Sequence, residues 1–223
     1  MKRLKLARAL IAAALVGCVP IKGKVSLQSG SEISGGGERL REGEGIAILG
    51  ASRAGDDEIA KCVREALAAA SPATRIAPAE KLRSSAGGAL ASANAAQSEQ
   101  EIGRALQEAI ASHAISDLAL RYVYTVEGAT GEDGYTQTMG NTFATAGVGV
   151  FGSTKFTHIE ATVWDAATGH RLGLLKSWAS GRVSTVIILP IGFYTYAPTE
   201  STACKEMAGQ ILRHLDGEVG PNR

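Results

Sequence analysis

The stretch 155-KFTHIEATVWDAATGHRLGLLKSWASG-181 decides the reading of the fold. Residues 155–165 are rich in β-branched and aromatic side chains, and residues 171–181 return with a similar pattern, so both read as strands. Between them, Asp165-Ala166-Ala167-Thr168-Gly169 has the composition of a tight turn. An Asp can bond the backbone just ahead of it, and a Gly can take the positive φ that closes such turns. The spacing therefore predicts a hairpin, and with it an antiparallel meander in the second half of the chain.

Working outward, residues 118–126 alternate, with Leu118, Leu120, Tyr122, Tyr124 and Val126 on one side, and form a further strand. The acidic, glycine-rich residues 127–134 read as a turn. Residues 142–151 are uncharged and alternating, flanked by Phe143 and Phe151; they read as one leg of a long soluble hairpin. Their length also matches the roughly 9–11 residues of a transmembrane β-strand. Residues 185–189 read as a separate apolar strand ended by Pro190.

The first half opens with Ile46-Ala47-Ile48-Leu49, an apolar run between glycines that reads as a buried strand. A helix over 57–70 follows, with Asp56 as N-cap and Ile59, Cys62, Val63, Ala66 and Leu67 on one face. Residues 74–77 suggest a short strand, residues 78–83 a helical turn, and the Ser/Ala/Gly-rich residues 84–97 a mobile connection. Ser98 and Glu101 form a capping box for a helix carrying Ile102, Ala105, Leu106, Ala109 and Ile110, ending near His113. A last helix starts at Thr199 and stops at Gly217, with Cys204, Met207, Ala208, Ile211 and Leu215 inward. The expected fold is α+β: a mixed, mostly antiparallel sheet with two or three helices packed on one face.

The N-terminus carries a different signal. Lys2, Arg3, Lys5 and Arg8 precede an apolar run, residues 9–16, too short to span a bilayer. It ends in Leu15-Val16-Gly17-Cys18, which resembles the lipobox of bacterial lipoproteins. That resemblance implies cleavage before Cys18, acylation of its thiol and amine, and attachment that several acyl chains make effectively permanent. Val19 rather than Asp follows the cysteine, which in that family implies sorting to the outer membrane, facing the periplasm. In a cell with one membrane the anchor would be the cell membrane. The expected organisation is signal peptide 1–17, lipidated cysteine and Gly/Ser-rich flexible tether 18–44, one domain 45–217, and tail 218–223.

The chain of 223 residues is 45% apolar, enough for a real core, and carries a net charge of +1. Loss of residues 1–17 removes four cations and no acids, leaving −3. A nucleic-acid role then lacks its electrostatic basis. Cys62 and Cys204 lie on the inner faces of two helices, and an exported chain meets an oxidising compartment. They read as a disulfide or as two separate buried thiols; a bond would pin the last helix beside the first.

Motifs that suggest catalysis fail on their surroundings. Residues 46–55 resemble the cofactor loop of short-chain dehydrogenases, but Ala54 replaces the second glycine and Asp56 and Asp57 would oppose a pyrophosphate. Gly50, Ser52 and Gly55 are spaced one residue too long for a hydrolase elbow. Gly147, Gly149 and Gly152 match a dinucleotide fingerprint in spacing but precede a strand, not a helix. His113, His158, His170 and His214 show no metal-ligand spacing. No catalytic residue, metal or cofactor is expected.

His158, Glu160, Thr162 and Trp164 share one face of a strand, and Trp178 on the next could extend it; these form the candidate partner-binding patch. The order of elements, with its strand ending in Val163-Trp164-Asp165-Ala166-Ala167-Thr168-Gly169, resembles the penicillin-binding-protein activator and curli-secretion lipoproteins. The resemblance implies a non-enzymatic, membrane-anchored module that binds another envelope protein. The alternative is a subunit of an oligomeric outer-membrane secretion pore, which would make the chain a homo-oligomer.

Overall fold

The computed structural model describes residues 27–35, 37–51, 56–78, 99–112, 119–137, 148–188 and 191–217. Cys18, Ser52, Ser98 and residues 79–98 and 138–147 lie outside them, and with them the lipobox, the connection and most of the 142–151 leg. The elements run β1 (Leu27–Ser34), β2 (Glu44–Gly50), α1 (Asp56–Ala70), α2 (Glu99–Ser112), β3 (Ala119–Gln137), β4 (Val148–Asp165), β5 (Arg171–Ile188), β6 (Ile191–Tyr194) and α3 (Thr199–Leu215). This is an α+β fold on a mixed, mostly antiparallel sheet of order β1-β5-β4-β3-β2, with β6 also paired to β5. The chain divides into two compact units, one of Gln28–Thr130, Phe156–Ala179 and Thr199–Arg223, the other of Met1–Leu27, Gly131–Lys155 and Ser180–Pro198.

In the larger unit, β2 pairs parallel with β3, from Glu44 opposite Ala119 to Gly50 opposite Val126. Residues 45–49 and 122–126 are buried on both sides, which is why β2 is a continuous apolar run rather than an alternating one. On one face Tyr122 and Tyr124 meet His214 of α3, and Ser177 Oγ donates to the Ala203 carbonyl. Ile59, Val63 and Leu67 of α1 and Met207, Ala208 and Ile211 of α3 are buried there. Cys62 and Cys204 are joined in a disulfide that staples α1 to α3.

The opposite face carries Ala47, Leu49, Val123 and Trp164, covered by Leu106 of α2 with Ile102 and Ile110 beside it. Two helices thus share one face and the third lies over the other. α2 is seated on the β4–β5 turn. Gln107 Nε2 donates to the Ala167 carbonyl at 2.7 Å, and a Cβ at Gly103 would come within 2.1 Å of the Gly169 carbonyl oxygen. Only glycine permits that approach.

Four expectations about local structure change. Residues 127–134 are not a turn: β3 runs on to Gln137. Ala129, Thr130, Glu132 and Asp133 are exposed, so burial does not select apolar residues there, and turn-like composition follows. Residues 185–189 are not a separate strand; β5 is continuous to Ile188. Residues 74–77 make only a single parallel bridge, Ile76 to Ile46.

The fourth change concerns the tether. Leu27–Ser34 forms the edge strand β1. Glycine there serves packing rather than flexibility: a Cβ on Gly30 would meet the Trp178 indole at 2.6 Å. Downstream, Tyr122 Oη accepts from the Glu38 N–H at 2.8 Å and donates to the Glu38 carbonyl at 3.1 Å, so residue 38 is bound to the core.

In the smaller unit, β5 and β6 pair antiparallel, Thr185 opposite Tyr194 and Ile188 opposite Ile191. Ser153 Oγ donates to a Glu132 carboxylate oxygen, and Lys155 Nζ lies 5.6 Å from the centroid of the Tyr196 ring.

The Cys62–Cys204 bond closes a loop with a sequence separation of 142. Cys62→Ala with Cys204→Ala is expected to cost about 2–5 kcal/mol and to lower Tm by roughly 5–15 °C. Calorimetry of the two proteins without reductant measures this; unchanged melting would deny the staple a structural role.

Candidate functional site

α2 covers only the end of its face nearest the β4–β5 turn. Trp164 lies under it, 3% exposed, with Nε1 donating to Thr125 Oγ1 at 2.9 Å. Trp164 is therefore removed from the expected surface patch: strand alternation places it on the right face, but that face is sealed at its position. Large apolar surface that can be buried against a helix is buried.

Further along the same strands, no element among the described residues covers the face. His158 Nε2 and Lys176 Nζ both reach Glu160 Oε1, each at 3.0 Å. Alternation along β5 puts Trp178 on the face of Lys176, and along β4 it puts Phe156 on the face of His158. Trp178 is 42% and Phe156 38% exposed. Beside them a shallow depression of about 260 Å³ is lined by Glu127, Gly128, Ala129, His158 and Glu160. Of the expected patch, the structure thus brings together His158 and Glu160, keeps Trp178 on the same face, and adds Lys176, Phe156 and Glu127.

The added residues were accessible in principle. Two strands joined by a tight turn place equidistant residues opposite each other, and counting back from Asp165 and forward from Arg171 leads to Glu160 and Lys176.

The hydrogen bond from His158, with a further one from Lys176, holds the Glu160 carboxyl below the usual carboxylate range against the opposing effect of burial. Its charge is neutralised within the protein. The cluster presents a polar arrangement on the same face as two exposed aromatic side chains.

A larger cavity of about 570 Å³ lies elsewhere in the same unit, lined by Arg39, Arg41, Arg75, Glu42, Glu44 and Asp216 among others. Ala70 and Leu215, the last residues of α1 and α3, border it. Three arginines and three carboxylates thus share its lining. Among the described residues no group of three or more His, Cys, Asp or Glu side chains could hold a metal ion.

No family model matches the chain, and no curated protein matches it. Among solved structures it is similar to the PelC dodecamer from Paraburkholderia phytofirmans, with 16% identity and a TM-score of 0.34 over 86% of this chain and 100% of that one. It is also similar to a single-residue variant of the PelC dodecamer from the same organism, with 16% identity and a TM-score of 0.30 over 87% of this chain and 99% of that one. Likeness at this level carries neither fold nor function across.

Two outcomes test this site. Trp164→Ala should cost about 3–5 kcal/mol, as loss of a buried aromatic does, whereas Trp178→Ala should cost about 1 kcal/mol or less; urea titration separates them. Because the Glu160 pKa is lowered on folding, its contribution is complete above the ordinary carboxylate pKa, about 4.3. That contribution is lost as pH falls through the lower folded value. Carbon NMR of the Glu160 carboxyl should titrate below the unfolded value, and Glu160→Gln should flatten this part of the acid limb of stability.

Proposed function

We propose that the protein is a non-enzymatic accessory lipoprotein of the bacterial envelope, anchored through acylated Cys18 and binding another envelope protein by the open face of its sheet. The observation that carries this reading is that face, which no element among the described residues covers. Trp178 and Phe156 stand exposed beside a His158–Glu160–Lys176 cluster whose charges are already arranged. Exposed aromatic rings within a polar surround have the composition of interface anchors. The Leu15-Val16-Gly17-Cys18 motif supports the anchor, and the outer membrane facing the periplasm follows from Val19 in a two-membrane cell.

β1 brings the described chain to within a few residues of Cys18 in sequence. In sequence, only residues 19–26 lie between Cys18 and Leu27.

A photocrosslinking residue at position 178, with position 61 on α1 as the exposed control, tests the reading in intact cells. The expected result is an adduct with one different envelope protein at 178 and none at 61. With that partner purified, Glu160→Lys and Trp178→Ala should each weaken binding about tenfold or more. An adduct with a second copy of the chain, together with a detergent-extracted mass at a multiple of the monomer, would replace this reading with the oligomeric secretion subunit.

A further inference from the structure

Charge is distributed unevenly in the smaller unit. No charged residue occurs from 134 to 154 or from 183 to 199. The second of these runs contains the β5–β6 hairpin. Its register sets Val186 opposite Phe193, Ile187 opposite Gly192 and Ile188 opposite Ile191. Every residue pair of this ladder beyond Thr185–Tyr194 is made of apolar residues or glycine. A hairpin of this composition has no polar set of side chains to offer to water.

At the chain positions where this composition ends, the residue types change. Tyr196, two residues past β6, is 57% exposed, and Lys155, the first charge after the other uncharged run, stacks its ammonium on that ring. An exposed tyrosine paired with a lysine is the residue combination that settles at the boundary between hydrocarbon and water. The ring lies at headgroup level and the long cationic side chain reaches the aqueous side. Leu27, where the linker from Cys18 enters the structure, belongs to this same unit. A short linker from an acylated cysteine leads into the unit that carries the uncharged hairpin.

We propose that the β5–β6 hairpin is a lipid-embedded wedge that seats the protein on its membrane, with Tyr196 and Lys155 at the interface. The proposal rests on the lipid anchor proposed above for Cys18 but assigns a second, non-covalent membrane contact. One acyl-anchored point alone would leave the smaller unit free to pivot; a second contact holds that unit against the bilayer. In an inserted hairpin the inward-facing backbone groups of the two legs pair with each other. Outward-facing groups left without a neighbouring strand would need the headgroup region, which limits insertion to shallow depth.

The test uses the full lipidated protein in vesicles of phosphatidylethanolamine and phosphatidylglycerol whose acyl chains are brominated near the headgroup. Phe193→Trp should add an emission component quenched by the bromines, while the wild-type emission of Trp164 and Trp178 is not quenched. In parallel, the chain starting at residue 18 with Cys18→Ser should float with unbrominated vesicles of the same lipids, and Ile187→Asp should lower that binding at least tenfold. An intact Cys62–Cys204 bond on a non-reducing gel shows that the variant has folded. Unquenched emission at position 193 overturns the wedge. So does emission already blue-shifted without lipid, which would place the hairpin between copies of the chain. The mass of the Cys18 peptide reports acylation separately, so a missing acyl chain refutes the anchor without being confused with failure of the wedge.

Discussion

The Asp165 carboxylate is the interaction on which the arrangement of the larger unit depends. Oδ1 accepts from the Ala167 and Thr168 N–H groups at 3.0 and 2.8 Å and from the Thr168 hydroxyl at 3.0 Å, while Oδ2 lies 3.6 Å from Arg121 Nη1 on β3. Burial opposes its charge, but the Thr168 bonds, Arg121 and the Ala167 bond prevail and hold its pKa below the usual range. One side chain thus shapes the turn and ties it to the neighbouring strand. Gly169, at φ +67°, completes the turn and offers its backbone to Gly103 of α2. The position of α2 follows, and so does the line between covered and open sheet. Trp164 falls inside that line, while Glu160 and His158 fall outside.

The other face obeys a different constraint. α1 and α3 pack against each other and are joined through Cys62 and Cys204. Two pairs of polar groups are buried between α3 and the sheet: Tyr124 Oη with His214 Nδ1 at 2.9 Å, and Thr157 Oγ1 with Thr199 Oγ1 at 3.0 Å. Desolvation raises the Tyr124 pKa well above 10, with the nearby Tyr122 adding to it, so the phenol remains neutral. This side is closed and structural. The contrast is between a stapled face and one that the described helices cover in part.

Glycine carries opposite meanings in different parts of the chain. Residues 18–44 have the composition of a flexible linker, yet Gly30 makes room for the Trp178 indole and Gly35 adjoins the Leu172 and Gly173 backbone. An edge strand covered on one side needs few large apolar residues, so periodicity cannot reveal it. The same limit explains β3 beyond Val126, where exposed positions accept the acidic and glycine residues typical of turns.

The sequence by itself determined the elements whose signal is local. The hairpin at 165–169, the helix bounds near Asp56 and Thr199, the buried β2 run and the inward cysteines all follow from turn chemistry, capping and periodicity, which act over a few residues. His158, Glu160 and Trp178 were also legible, because alternation along a strand assigns faces. Tertiary structure alone decided which faces are covered. Whether Trp164 is core or surface depends on α2, and whether Leu27–Ser34 is linker or strand depends on β5. The joining of Cys62 to Cys204 likewise depended on two helices meeting over one face. Burial is a property of what lies opposite a residue, and the partners that supply it here are distant in the chain.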